Sequence, residues 1–179
     1  TPMLLTPTEV MDKYFSGRRK PMMANFYQMQ RKRLGVLIDD QGAPVGGRWS
    51  YDADNRKKLP KGITVPEEPS IDFPIDHRSA KQWLDTFLEQ RLAGFGTYED
   101  AISSQHRVMW HSVLTPMLNL GLLTPQQILT QTLDVAESSE IPLNSLEGFL
   151  RQIIGWREFM AAMYLRHGVT MRNSNFWNF

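Results

Sequence analysis

The chain has 179 residues, 41% of them hydrophobic and 11% aromatic, enough to close a real core. A formal net charge of +1 removes bulk charge as a driver of nucleic-acid binding, so any DNA contact has to come from a local patch. There is no cysteine, which excludes disulfides, a thiol nucleophile and a cysteine-ligated metal, and no apolar run reaches the roughly 18 residues of a membrane span.

The opening Thr1-Pro-Met-Leu-Leu5 has neither the basic nor the apolar region of a signal peptide, so a cytoplasmic location is expected. The first residue is not Met, and the last stretch, Asn173 to Phe179, carries Phe176, Trp177 and Phe179. Three aromatics at a free end read as a piece of a longer protein.

Thr6-Pro7-Thr8-Glu9 predicts a helix start with Thr at N-cap, Pro at N1 and Glu at N3, followed by Val10, Tyr14 and Phe15. Met22 to Leu34 predicts a second helix carrying Phe26, Met29 and Arg33, stopped by Gly35. From Val36 to Arg78 the pattern lapses. Val36, Leu37 and Ile38 read as a short strand; the remainder holds Pro44, Pro60, Pro66, Pro69 and Pro74 with Glu67 and Glu68. A stretch that long without an element reads as an ordered connection crossing the surface.

Ser79-Ala-Lys-Gln82 opens a third helix with Leu84, Phe87, Leu88 and Arg91, ending near Gly94. Gln105 to Leu120 predicts a fourth, kinked or split at Pro116. Thr124-Pro-Gln-Gln127 opens a fifth, Pro125 to Ala136. Asn144-Ser-Leu-Glu147 opens a long sixth, down which Leu146, Phe149, Ile153, Trp156, Met160 and Met163 draw one stripe. The expected class is mainly α, an irregular helical bundle with one long ordered loop, organised as residues 1–78 and 79–179.

Few residues announce chemistry. His77, His106, His111 and His167 are scattered without zinc-site spacing, and no Gly-x-Ser-x-Gly or Walker loop is present. Asp52-Ala-Asp54-Asn55 lacks the Gly and closing Glu of a calcium loop, so no metal site is expected. The ten methionines read as adaptable core packing. Ser112 and Thr115, three apart, place two hydroxyls on one helical face; they can serve an anion or simply bond back to the backbone. Trp156 and Phe159 read as core and the Arg157-Glu158 pair as surface. Arg18-Arg19-Lys20, Arg31-Lys32-Arg33 and Arg56-Lys57-Lys58 are either solvated faces or, where two share a side, phosphate contacts.

Several motifs in order resemble the bacterial cryptochrome/photolyase-related flavoproteins, the iron–sulfur branch that includes (6-4) photolyases. They are the Val45 to Pro60 segment with Trp49 and Tyr51, Tyr98 upstream of His111-Ser112-Val113-Leu114-Thr115, Gly121-Leu-Leu-Thr-Pro125, and Phe149-Leu-Arg-Gln-Ile-Ile-Gly-Trp156-Arg157-Glu158-Phe159. His111 departs from the family's Thr; Ile153 stands where many members carry Glu or Gln, with Gln152 one residue earlier. One residue is about 100° on a helix, so either Gln152 takes that place through a local helix adjustment or lesion contact is made differently.

The resemblance implies that residues 1–78 are interdomain helices and a connecting loop, and 79–179 the first part of a helical FAD-binding domain. It further implies that Tyr98, His111, Ser112, Leu114, Thr115 and Arg157 hold FAD, while Gln152, Trp156, Arg56, Lys57 and Lys58 meet UV-damaged DNA. The whole protein would be a light-driven, monomeric photolyase whose iron–sulfur cluster and lumazine-type antenna are bound outside this chain. A blue-light photoreceptor and a non-catalytic helical interaction domain are the alternatives.

Overall fold

A computed structural model of the chain describes residues 3–17, 20–55, 57–69, 72–175 and 177. Helices α1 (Thr8–Phe15) and α2 (Met23–Leu34) come first. Gly35, at φ 66°, closes α2 in the left-handed conformation that glycine adopts without a Cβ clash. Tyr14 and Phe15 of α1 meet Phe26 of α2 and Phe159 edge-on or tilted, with ring centroids 5.1 to 6.2 Å apart. This aromatic cluster fixes the start of the chain against its last helix.

The connection after α2 is ordered by polar anchors rather than by a sheet. The expected strand at Val36 to Ile38 is reduced to one antiparallel bridge, Ile38 to Pro44, because Leu37 sits at φ 51°, outside extended backbone. Two 3₁₀ turns follow, Val45–Gly47 and Asp52–Asp54. Buried Arg31 holds the loop by donating to the carbonyls of Val36 (3.3 Å) and Trp49 (3.0 Å). Asn55 is buried as well, and its carbonyl accepts from Asp100 N–H at 3.2 Å.

Helix α3 (His77–Gln90) is capped by Asp76, whose carboxylate accepts from Ser79 N–H at 2.8 Å, so Ser79 is the third residue of the helix rather than its cap. Short α4 (Leu92–Tyr98) lies against α7 (Leu143–Leu150). A Cβ on Gly96 would stand 2.4 Å from the Asn144 carbonyl, so only glycine permits this contact. Ser145 seals it, accepting from Gly96 N–H (2.9 Å) and donating to the Ala93 carbonyl (2.7 Å). Asn144-Ser-Leu-Glu147 is therefore not a capping box: Pro142 precedes the helix, and the Ser145 hydroxyl is spent on α4.

The expected fourth helix shrinks to α5 (Thr115–Asn119). Upstream, the Glu68 carboxylate takes the N–H groups of Arg107 and Val108, and Ser103 Oγ takes those of Gln105 and His106, leaving no helical ladder. Met109 and Val113 then turn through φ 51° and 53°. Helix α6 (Pro125–Ser138) opens on the capping box of Thr124 and Gln127 that the sequence predicts.

Helix α7 runs into a seven-residue π-helical segment, Arg151–Arg157, and then α8 (Glu158–Asn173). The widened turn meets α2, where a Cβ on Gly155 would sit 3.1 Å from the Tyr27 ring and Gln30 donates to the Ile154 carbonyl at 3.2 Å. The main core joins α3, α4, α6, α7 and the π segment with Tyr27 and Val36, so it crosses from the first part of the chain into the second. Among the described residues no strand forms, and the molecule is mainly α with one long ordered loop.

Candidate functional site

A cleft of about 830 Å³ opens between the Asp100 to Asn119 stretch on one side and the π segment with the start of α8 on the other. His111, Ser112, Leu114 and Thr115 line the first wall, and Gln152, Trp156 and Arg157 the second. Seven of the residues singled out from sequence thus converge across more than thirty positions of chain. Phe95 and Phe149 close the apolar floor.

The wall from His111 to Thr115 is stiff. Val113 stands at φ 53°, a conformation that costs a β-branched residue on the order of 1–3 kcal/mol and persists only where its surroundings impose it. The Ser112 carbonyl is pinned by Trp83 Nε1 at 2.9 Å. No hydrogen bond within the described residues engages the Ser112 or Thr115 hydroxyl. His111 is edge-on to Phe95 at 6.4 Å. Burial lowers its imidazole pKa below the usual value, against a weaker opposing pull from Asp100, and favours the neutral ring.

On the facing wall, Arg157 Nη1 donates to Asn119 Oδ1 at 2.9 Å, Nη2 lies 3.4 Å from the Leu118 carbonyl, and Nε is buried without a partner. An amide and a carbonyl hold this arginine, with no carboxylate in direct contact among the described residues. Burial lowers the pKa of its guanidinium, while Glu158 pulls the other way. Glu158, expected on the surface, is fully buried. It accepts from Leu5 N–H and Thr6 N–H, both at 2.9 Å, and from the Thr6 hydroxyl at 2.7 Å. Trp156, expected in the core, is 40% exposed at the cleft edge. Trp156 lies in the π segment, which departs from the 3.6-residue period that assigns it to the core, whereas Glu158 turns inward to the amides of Leu5 and Thr6.

Gln152 and Ile153 both line the cleft, within the π segment. The Gln152 side-chain amide donates to Glu99 Oε1. Glu99 Oε2 accepts from Asn55 Nδ2 at 2.7 Å and lies 3.5 Å from Arg151. Burial raises the Glu99 pKa, opposed by Arg151 and Asn55. Arg151 also meets Asp52 at 2.9 Å and Glu147 at 3.4 Å, so one buried guanidinium joins loop, α4 and α7 behind the cleft. Sequence reading missed Glu99 and this cluster, although Glu147 and Arg151 stand four apart on one helix, the spacing of an intrahelical pair.

Tyr98 is not in the cleft lining. Its ring stacks on Trp110 at 4.5 Å, in a separate small cluster with Met109. Lys57 and Lys58 are exposed and line no cleft, and Arg56, like Arg18 and Arg19, lies outside the described residues. Within the described residues no group of three or more His, Cys, Asp and Glu could hold a metal, and no helix is long and apolar enough to cross a membrane.

A model of the deoxyribodipyrimidine photo-lyase-related protein family matches residues 1–100, more than half of the sequence. The chain belongs to that family. A (6-4) photolyase of Agrobacterium fabrum is 31% identical over 196 residues, covering 90% of this chain and 37% of the relative. An uncharacterized protein of Acanthamoeba polyphaga mimivirus is 40% identical over 68 residues, covering 37% of this chain and 52% of that protein. This photolyase-related chain therefore spans between a third and about half of the curated relatives it matches. The match to the family model ends at residue 100, just before the stretch that forms the first wall of the cleft, while the similarity to the (6-4) photolyase covers most of the chain.

Proposed function

We propose that this chain is part of a light-driven DNA photolyase, of the (6-4) type, and that its cleft is one side of an FAD site. The observation that carries this reading is the convergence of His111, Ser112, Leu114, Thr115 and Arg157 on one cleft in a photolyase-related chain. The donor set suits the pyrophosphate of a dinucleotide: two uncommitted hydroxyls, a neutral imidazole able to donate once, and a guanidinium with an orphaned buried N–H. When bound, FAD supplies a photoexcitable electron donor, which is chemistry that no side chain here can provide.

The chain's own part is positioning. Ser112, Thr115 and Arg157 hold and orient the anionic portion, Phe95 and Phe149 exclude water below it, and the backbone at Val113 keeps the wall from relaxing. Gln152 spends its N–H₂ on Glu99 and thereby presents its amide oxygen to an incoming base. The exposed face of Trp156 offers stacking surface to a nucleotide flipped from a UV-damaged duplex. Lys57 and Lys58, with Arg56, would serve the phosphates. The division into interdomain helices (1–78) and the opening part of an FAD-binding domain (79–179) belongs to the same reading, as do a cytoplasmic location and a monomeric whole protein. Having no cysteine, this chain gives no thiolate to any iron–sulfur cluster, and a cluster or an antenna would be held elsewhere in the whole protein.

The test uses the full-length protein that contains this chain. It should purify with flavin absorbance and remove (6-4) lesions from DNA only under blue or near-ultraviolet light. Arg157→Met should keep the helical circular-dichroism signal and lose about tenfold or more in flavin affinity, the value of one charge-assisted contact. Flavin content that is absent in the parent, or unchanged in the variant, would defeat the assignment.

A further inference from the structure

A second cleft of about 750 Å³ lies between α3 and the segment that leads into it. Its wall is aromatic: Phe73 and Trp83 pack at 5.8 Å with an interplanar angle of 37°, and Ile75 beside them is 90% exposed. Arg91 lies in its lining. That side chain is only 1% exposed, and Nε, Nη1 and Nη2 are all buried without a hydrogen-bond partner. Its guanidinium lies over the face of Phe87, 5.8 Å from the ring centroid.

Five donors of a permanent cation are left unsatisfied in this position, which folded proteins almost never tolerate. Glu67, Glu68, Asp72 and Asp76 line the cleft, yet none of them hydrogen-bonds the Arg91 guanidinium. Glu68 is committed to Arg107 and Val108, and Asp76 to the N-terminus of α3. Those same bonds hold both carboxyls below their ordinary pKa range, so each is spoken for as an anion by groups other than Arg91.

We propose that Arg91 is the anchor of a second binding site, which takes an oxyanion, carboxylate or phosphate, carried on a flat apolar body that lies against Phe73 and Trp83. A planar guanidinium fork suits two oxygens of one group, and the neighbouring rings supply apolar contact to the part that follows. Gln82, Thr86 and Gln90 line the cleft along α3 and provide polar contacts around the head. The cleft shares no lining residue with the proposed flavin site, and the one hydrogen bond described between them is that of Trp83 Nε1 to the Ser112 carbonyl at 2.9 Å.

Benzoate and inorganic phosphate are the probes, titrated against this chain while the Arg91 Nε–H and Trp83 Nε1–H resonances are followed. Saturable shifts of the Arg91 signal by at least one probe are expected, with Trp83 moving for benzoate. Arg91→Met should weaken that binding about tenfold or more while leaving the thermal midpoint equal or higher, because an unpaired buried charge has been removed. Should Arg91→Met fail to fold, Arg91→Lys keeps the charge but not the fork, and should weaken binding by about the same factor. Absence of any Arg91 shift with both probes overturns the proposal, as does binding that survives either substitution. A longer form of the protein separates two sources of the oxyanion. An Arg91 signal already shifted without probe identifies a carboxylate of the polypeptide, and one that shifts only with probe identifies a free ligand.

Discussion

Gln152 is held by Glu99, so a residue at the rim of the proposed flavin cleft is oriented by a half-buried carboxylate of the same lining. Because Glu99 also takes the Asn55 amide at 2.7 Å, the same carboxylate ties the long loop to that rim. Glu99→Ala should therefore destabilise the chain by about 1–3 kcal/mol, since it strands the Gln152 and Asn55 donors together. Urea denaturation gives the stability. In the full-length protein, lesion binding should weaken along with it, and Glu99→Gln should recover part of both. Unchanged stability in Glu99→Ala would remove Glu99 from this role.

Glu147 is fully buried, with Arg151 beside it at 3.4 Å and the Tyr51 N–H on its other oxygen at 2.9 Å. Removing one partner of a buried pair leaves the other uncompensated, so Glu147→Leu should cost about 3–5 kcal/mol. Chemical denaturation of the variant beside the parent measures this. A cost below 1 kcal/mol, roughly the value of an exposed pair, would mean that water reaches the cluster.

Gly96→Ala places a Cβ against the Asn144 carbonyl at 2.4 Å, in backbone that cannot move aside cheaply. A loss of about 1–3 kcal/mol is expected, with α4 and α7 losing hydrogen-exchange protection together. Protection lost in only one of the two helices would show that their contact is not cooperative.

His111 gives the pH dependence its sign. Its folded pKa lies below the ordinary imidazole value of 6.5, with burial as the main cause. The folded chain therefore resists a proton that the unfolded chain accepts, and the contribution present above pH 6.5 is lost as pH falls from there toward the folded pKa. The slope should not exceed about 1.4 kcal/mol per pH unit for this one proton. Glu99, whose pKa is raised, acts oppositely: its protonation favours the fold as the solution becomes more acidic. His111→Asn isolates the first effect. Stability curves of variant and parent should separate below pH 6.5, and parallel curves would contradict the assignment.

Much of this was legible from sequence. Gly35 as the stop of α2, Thr124 and Gln127 as the capping box of α6, and the mainly α class all follow from local rules that tertiary packing leaves intact. Seven of the residues that motif order singles out line one cleft. What failed was decided at long range. The expected helix from Gln105 was undone by Glu68, whose carboxylate takes the N–H groups of Arg107 and Val108 from 39 and 40 residues away. Trp156 leaves the expected stripe because a helical wheel has no means of registering a π segment, and Glu158 turns inward to the amides of Leu5 and Thr6, 153 and 152 residues away. Tyr98 was drawn to Trp110 by ring packing, which the motif does not encode.

The π segment also sets a rule about length. A widened turn holds one residue more than the α-helical path it replaces, so α8 keeps its facing only while that surplus residue is present. Side chains between Arg151 and Arg157 can be exchanged one at a time with local consequences, but deleting one would advance everything after it by about 100°. Glu158 would leave the Leu5 and Thr6 amides, Phe159 would leave its aromatic cluster, and Arg157 would turn from the cleft in a single step. In this helix the count of residues is as binding a constraint as their identity.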